Sequence, residues 1–125
     1  MIYLDTHIVL WLYDRGAQAL TPGARDAINA AAGVLISPMV HLELGYLHEI
    51  RRIAQHPDAI VGALHATIGL QICQLPWSAV TEQALGLDWT RDPFDRLIVA
   101  HADFAQAALV THDQAIRERY SRAVW

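Results

Sequence analysis

Five carboxylic acids stand where a chain of this pattern could gather them. Asp5 directly follows the apolar run Ile2–Leu4, and Asp113 follows Leu109-Val110-Thr111 after one residue. Glu43 lies in the segment after the apolar run 34–36, while Asp92 and Asp95 bracket Pro93-Phe94. Each has an ordinary explanation alone. Asp5 can bond the amides of the next turn. Asp92 and Asp113 can cap helices, and Asp95 suits the positive end of a helix begun by Pro93. Together they repel: two carboxylates ~4 Å apart cost about 4 kcal/mol at an effective dielectric of about 20. Without a cation, at least one takes up a proton. All-oxygen ligation suits Mg²⁺ or Mn²⁺ rather than zinc. The chemistry that follows is metal-assisted hydrolysis of a phosphodiester.

Alternating strands and helices must hold these acids. Residues 2–4, 34–36, 70–75 and 109–111 read as short strands, with 123–125 as an edge strand. Thr6 is expected to cap a helix burying Val9, Leu10 and Tyr13. Thr21-Pro22 opens a helix to Ala32, ended by Gly33, and Ser37-Pro38 opens one to Gln55. A short helix starts at Pro57, and another spans 78–87 with Glu82 placed for capping. Asp92-Pro93 opens a helix to Gln106, and the last runs 113–120. Short strands apolar on both faces and separated by helices predict an α/β fold. Its central sheet is short and mostly parallel, with helices on both faces in three layers. In such sheets the crevice lies beyond the carboxyl ends of the strands, where these acids stand. In the helix from Pro38, steps of three and four place Glu43 with Met39, Tyr46, Leu47 and Ile50, opposite His41, His48 and Arg52. A glutamate on an apolar stripe needs a partner: a cation, or a buried arginine.

The 125 residues suit one domain over 1–125, and 54% apolar with 18% charged residues gives a chain able to bury a core. No apolar run approaches the roughly 20 residues of a membrane span, and the N-terminus reads as a strand rather than a signal peptide. One cysteine, Cys73, excludes an internal disulfide, and no metal-finger spacing occurs. Cytoplasmic residence is expected. A net charge of -4 disfavours non-specific DNA binding through a basic surface. All nine basic residues are arginines, which removes every lysine-dependent mechanism, including a P-loop and a Schiff base.

Four segments resemble one family. Ile2-Tyr3-Leu4-Asp5-Thr6-His7 is similar to the opening of a PIN domain. Ser37-Pro38-Met39-Val40-His41-Leu42-Glu43 is similar to its second acidic segment. Arg91-Asp92-Pro93-Phe94-Asp95-Arg96 resembles the third, in the form common in VapC-type toxins, and Leu109-Val110-Thr111-His112-Asp113 the fourth. The resemblance implies a PIN-like fold and a Mg²⁺- or Mn²⁺-dependent endoribonuclease. It further implies the toxin of a type II toxin–antitoxin pair that inhibits translation or growth. An RNA substrate, a VapB-like antitoxin and a homodimer come with it. By motif, Asp5, Glu43, Asp95 and Asp113 match the metal-binding acids. Thr6 and Thr111 match supporting hydroxyls, and Asp92 an extra acid of the subgroup.

Arg91 and Arg96 flank the third motif and are expected either to contact phosphate or to neutralise an acid. Among seven histidines, His7, His101 and His112 lie near acids in sequence and could aid proton transfer; His41 and His48 read as surface residues. Trp11, Trp77, Trp89 and Trp125 are expected in core or interface packing, with stacking on bases as the alternative, and Cys73 in the core. Val9, Trp11, Leu12 and Tyr13 crowd one helix, which predicts apolar surface left for a partner. A haloacid-dehalogenase-type phosphatase also places an aspartate after its first strand. It needs a second acid where His7 stands and usually a lysine. A non-catalytic RNA-binding or scaffold module of the same fold would not need all four acids.

Overall fold

The computed structural model describes residues 1–125. Its strands are β1 (Ile2–Leu4), β2 (Val34–Ile36), β3 (Gln71–Ile72), β4 (Ala108–Val110) and β5 (Ala123–Val124). Its helices are α1 (Thr6–Arg15), α2 (Pro22–Ala30), α3 (Pro38–Glu49), α4 (Pro57–Ile68), α5 (Trp77–Leu85), α6 (Pro93–Phe104) and α7 (Gln114–Arg119). A single 3₁₀ turn, Ala17–Ala19, links α1 to α2. All four strand pairings are parallel, in the order β3-β2-β1-β4-β5. The three-layer α/β architecture read from the sequence is the one observed.

This order decides where a site can form. The chain winds from β1 outward through β2 to β3, then crosses back to place β4 on the other side of β1. The carboxyl ends of β1 and β4 therefore flank a topological switch point, where open α/β sheets leave a crevice. β1 is buried throughout, and Leu4, Ile8, Ile36, Leu109 and Val110 are wholly inaccessible. No helix is long and apolar enough to cross a membrane.

Local chemistry explains most boundaries. Thr21 accepts a hydrogen bond from the Ala24 amide and Ser37 from Met39, each with proline at the first helical position. The boundaries that differ from expectation have visible causes. Asp5, not Thr6, caps α1: its backbone is extended and its carboxylate accepts from the Thr6 amide. Residue Ala31, with extended backbone, ends α2, while the Gly33 carbonyl accepts from the Ile2 amide. Helix α3 stops at Glu49 because Arg51 adopts a left-handed φ of 61° and the Arg52 amide folds back onto Leu47. Helix α4 is a full 12 residues, capped by His56 and closed by Gly69 at φ 70°. α5 begins at Trp77 behind Pro76 with no side-chain cap, so Glu82 has no capping role. β3 is shorter than expected, and β4 lies one residue earlier.

In α1, Val9 is fully buried and Trp11, Leu12 and Tyr13 are half-buried against the core. Leu10, expected inside, is also only half-buried. The exposed large apolar side chains stand elsewhere: Met1 at the N-terminus, Leu42 and Tyr46 on α3 with Ile50 just past its end, Trp77 and Leu85 on α5, and Phe104 at the end of α6.

Candidate active site

The end of β1 holds the centre of the site. Asp5 is buried, and both carboxylate oxygens accept hydrogen bonds. Oδ1 takes the Thr6 amide at 2.7 Å and Oδ2 the Thr111 hydroxyl at 2.6 Å. Thr111, fully buried just past β4, also accepts from the Asp113 amide at 3.0 Å. One threonine thus fixes two acids from opposite ends of the chain. Because Asp5 supplies the cap of α1, the Thr6 hydroxyl is free to donate to Glu43 Oε1 on α3.

The helix starts place the remaining acids. Asp92 caps α6, its Oδ1 accepting from the amides of Phe94 at 2.8 Å and Asp95 at 3.2 Å. Asp95 then falls one turn in, at the N-terminus of α6. Asp113 caps α7 through the Ile116 amide at 2.9 Å. The cap expected of Asp92 and Asp113 is observed in both.

Electrostatics shows that these acids share one field. Burial raises the proton affinity of Asp5; the Thr111 hydroxyl and Thr6 amide oppose that rise, and Asp113 adds to it. Burial likewise raises Glu43, opposed by the Thr6 hydroxyl and reinforced by Asp5 and Asp92. Asp95 has no hydrogen-bond donor. Burial, then repulsion from Asp92, Asp5, Asp113 and Glu43, lifts its pKa from 3.8 to about 7. His7, exposed on the first turn of α1, is close enough to favour the ionised forms of Asp5 and Glu43.

No arginine compensates this charge. The ion pairs within 4 Å are those of Asp58 with His41 and His56, so Glu43 has no arginine partner. Its expected apolar stripe is only half a stripe. Met39 is buried, whereas Tyr46 and Ile50 are exposed and Tyr46 stacks on Phe94. Arg91 donates to the Asp88 carbonyl. Arg96 forks onto the carbonyls of Ala84 and Leu85, closing the C-terminal end of α5. Neither arginine neutralises an acid.

One pair escaped the sequence reading. His101 on α6 is fully buried, and its Nδ1 lies 2.9 Å from the Ser37 hydroxyl and 3.0 Å from the Leu97 carbonyl. Burial lowers its pKa. Ser37 caps α3, so this pair ties the helix carrying Glu43 to the helix carrying Asp95. A serine and a histidine 64 positions apart give no sequence signal of this contact. His101 is thus a buried strut rather than a proton carrier. Cys73 is buried as expected, against the Tyr3 hydroxyl.

A parallel five-stranded sheet with acids gathered around its switch point is the architecture of a PIN domain. The PIN domain family model matches residues 2–121, and the chain belongs to that family. It is similar to Ribonuclease VapC22 of Mycobacterium tuberculosis, 32% identical over 130 aligned residues that cover 98% of this chain and 95% of that protein. Three solved structures share the fold. VapBC2 from Rickettsia felis, bound to a DNA fragment from its promoter, aligns with a TM-score of 0.70 at 19% identity, covering 98% of this chain and 96% of that one. A toxin–antitoxin complex from Klebsiella pneumoniae gives 0.68 at 17%, covering 100% and 97%. DNA-bound VapBC from Salmonella typhimurium gives 0.67 at 18%, covering 98% and 93%.

Proposed function

We propose that residues 1–125 form a single-domain, divalent-metal-dependent endoribonuclease that acts as the toxin of a toxin–antitoxin pair. The observation that carries this reading is the mutual repulsion of Asp5, Glu43, Asp95 and Asp113 at the carboxyl ends of β1 and β4, with no arginine paired to any of them. Likeness to a ribonuclease over nearly the whole chain supports RNA as substrate. The folds shared with toxin–antitoxin complexes support a protein antitoxin as partner, and a homodimer is proposed with it.

The donor chemistry fits Mg²⁺ or Mn²⁺. Every candidate ligand is a carboxylate or hydroxyl oxygen, although no three of the acids yet stand close enough together to hold an ion. Mg²⁺ characteristically uses one or two carboxylates and keeps several waters, so an open acidic mouth suits it. Asp5, Glu43, Asp95 and Asp113 would hold the ion. A bound divalent cation supplies Lewis-acid activation of water and charge neutralisation at the phosphoryl oxygens. The Thr6 and Thr111 hydroxyls orient Glu43 and Asp5 and keep both as acceptors. Asp95, held largely protonated near neutral pH by burial and its acidic neighbours, would release that proton when a cation binds. Asp92 holds the start of α6 and so the place of Asp95.

Purified protein incubated with RNA and Mn²⁺ tests the reading. Cleavage should vanish in EDTA, and Asp5→Asn should lower the rate by roughly a hundredfold or more. Equal cleavage in excess EDTA would overturn the metal-dependent mechanism.

A further inference from the structure

We infer that Trp11, His112 and Trp125 form a stacking subsite for one unpaired nucleobase beside the acidic crevice; this rests on the ribonuclease reading above. The three rings make one cluster. His112 meets Trp11 edge-on at 5.2 Å between centroids and Trp125 at 5.1 Å, and the two indoles are 5.7 Å apart. His7 extends the cluster, 6.2 Å from Trp11, and the Arg15 guanidinium lies 5.5 Å over the Trp11 ring.

Trp11 and Trp125 pack their inner sides on the core, but the cluster's position gives its outer side a second role. The cluster draws on three segments, α1, the β4–α7 turn and the residue after β5, and all meet at the acid-bearing end of the sheet. His7 is two residues past Asp5, and His112 stands between Thr111 and Asp113. His7 and His112 are exposed while Trp11 and Trp125 are half-buried, so the cluster opens to solvent along the rim of the crevice. On its other side Trp125 borders an open cavity of about 490 Å³ with Gln114, Arg117, Glu118 and Ala123. Glu118 there is engaged by the Gln114 amide at 3.0 Å.

The chemistry of the substrate fits this surface. A ribonucleotide chain brought to an acidic crevice needs cations for its flanking phosphates. Arg91 and Arg96 are committed to backbone carbonyls, whereas Arg15 lies over Trp11 and Arg117 lines the cavity beside Trp125. Unpaired bases are held by stacking on aromatic rings and guanidinium planes, largely without regard to sequence. Arg15 already lies over Trp11, so the surface left for a base is the exposed His112 ring and the half-buried Trp125 beside it. The base adjoining the scissile phosphate therefore rests on the rings, and Arg15 and Arg117 meet the phosphates on either side.

Metal-free Asp95→Asn protein, which should not cleave, allows binding to be read alone. A short unpaired oligoribonucleotide carrying a dye is titrated by fluorescence polarisation, alongside the same strand with abasic sugars. Adding His112→Ala or Trp125→Leu to this parent should weaken binding of the normal strand about five- to a hundredfold. Neither should change binding of the abasic strand. Thermal melting monitors folding; if Trp125→Leu is unfolded, the exposed His112→Ala decides. A parent that binds RNA equally well with and without these rings overturns the subsite alone. Wild-type protein that neither binds nor cleaves RNA in Mn²⁺ overturns the ribonuclease reading; a parent that binds no RNA while wild type cleaves it overturns the subsite.

Discussion

Replacing Asp95 by asparagine should make the metal-free protein more stable, although it removes a proposed ligand. The carboxyl of Asp95 has a folded pKa of about 7 against 3.8 for an ordinary aspartate. At about 1.4 kcal/mol for each tenfold change in proton affinity, that gap corresponds to about 4 kcal/mol. The side chain is only part-buried in an open mouth, so solvent screening removes at least half of this, leaving about 1–2 kcal/mol. Loss of a negative charge near the α6 N-terminus offsets about 0.5 kcal/mol more. For a domain of this size the net gain raises Tm by about 2–6 °C. The sign follows from proton linkage. A folded pKa above the unfolded one stabilises at low pH, and that stabilisation is lost as pH rises through about 7. In EDTA, Asp95→Asn should therefore melt above wild type at pH 8, and the gap should shrink by more than half at pH 5. Saturating Mn²⁺ should reverse the order. A ligand at about a hundred times its Kd adds about 2.7 kcal/mol to the protein that binds it. Differential scanning calorimetry at two pH values, with and without Mn²⁺, reads all four conditions. Asp95→Asn protein that melts below wild type in EDTA at pH 8 would refute the repulsion argument. Equal Mn²⁺ shifts in both proteins would refute the ligand assignment.

Asp92→Ser keeps an oxygen acceptor for the α6 cap; it should cost at most about 1 kcal/mol in thermal unfolding and leave RNA cleavage nearly intact. Thr111→Val preserves shape but strips a donor from buried Asp5. It should cost about 1–3 kcal/mol. It should also raise the Asp5 pKa further, so that calorimetric Mn²⁺ binding requires a higher pH. Ser37→Ala removes both the α3 cap and the partner of His101, and a loss of about 1–2 kcal/mol is expected in urea titration.

Punctuation was the most legible part of the fold. Ser37-Pro38 and Asp92-Pro93 announce helix starts because a short polar acceptor followed by proline satisfies the first turn locally, and both starts are observed. Endings were less legible. Helix α3 ends through a left-handed Arg51, a residue whose type carries no stop signal. At the site, strand-end placement and family resemblance singled out the acids. The side chains that hold them were only partly readable. Thr6 was read as a cap, yet the extended backbone at Asp5 reverses the roles and sends the Thr6 hydroxyl to Glu43. The destination of Arg96 depends on how α5 lies against α6, which no local pattern encodes. The same holds for the apolar surface: α1 tucks its crowded residues against the core, and α3 leaves Tyr46 and Ile50 outside.

The central place of β1 bears on how the protein is made. Synthesis delivers β1 first, yet β4, one of its two sheet neighbours, comes among the last elements, and the bond from Thr111 to Asp5 closes a loop of 106 positions. Contacts of such separation form late, because the entropy of closing the loop must be met before the strands can pair. A chain leaving the ribosome therefore carries Asp5, Glu43 and Asp95 well before it can lock them in place. A product interrupted before Ala108 lacks the strand, the threonine and the fourth acid together. Until that last stretch of the chain arrives, Asp5 has no Thr111 hydroxyl to accept from and β1 has only one sheet neighbour.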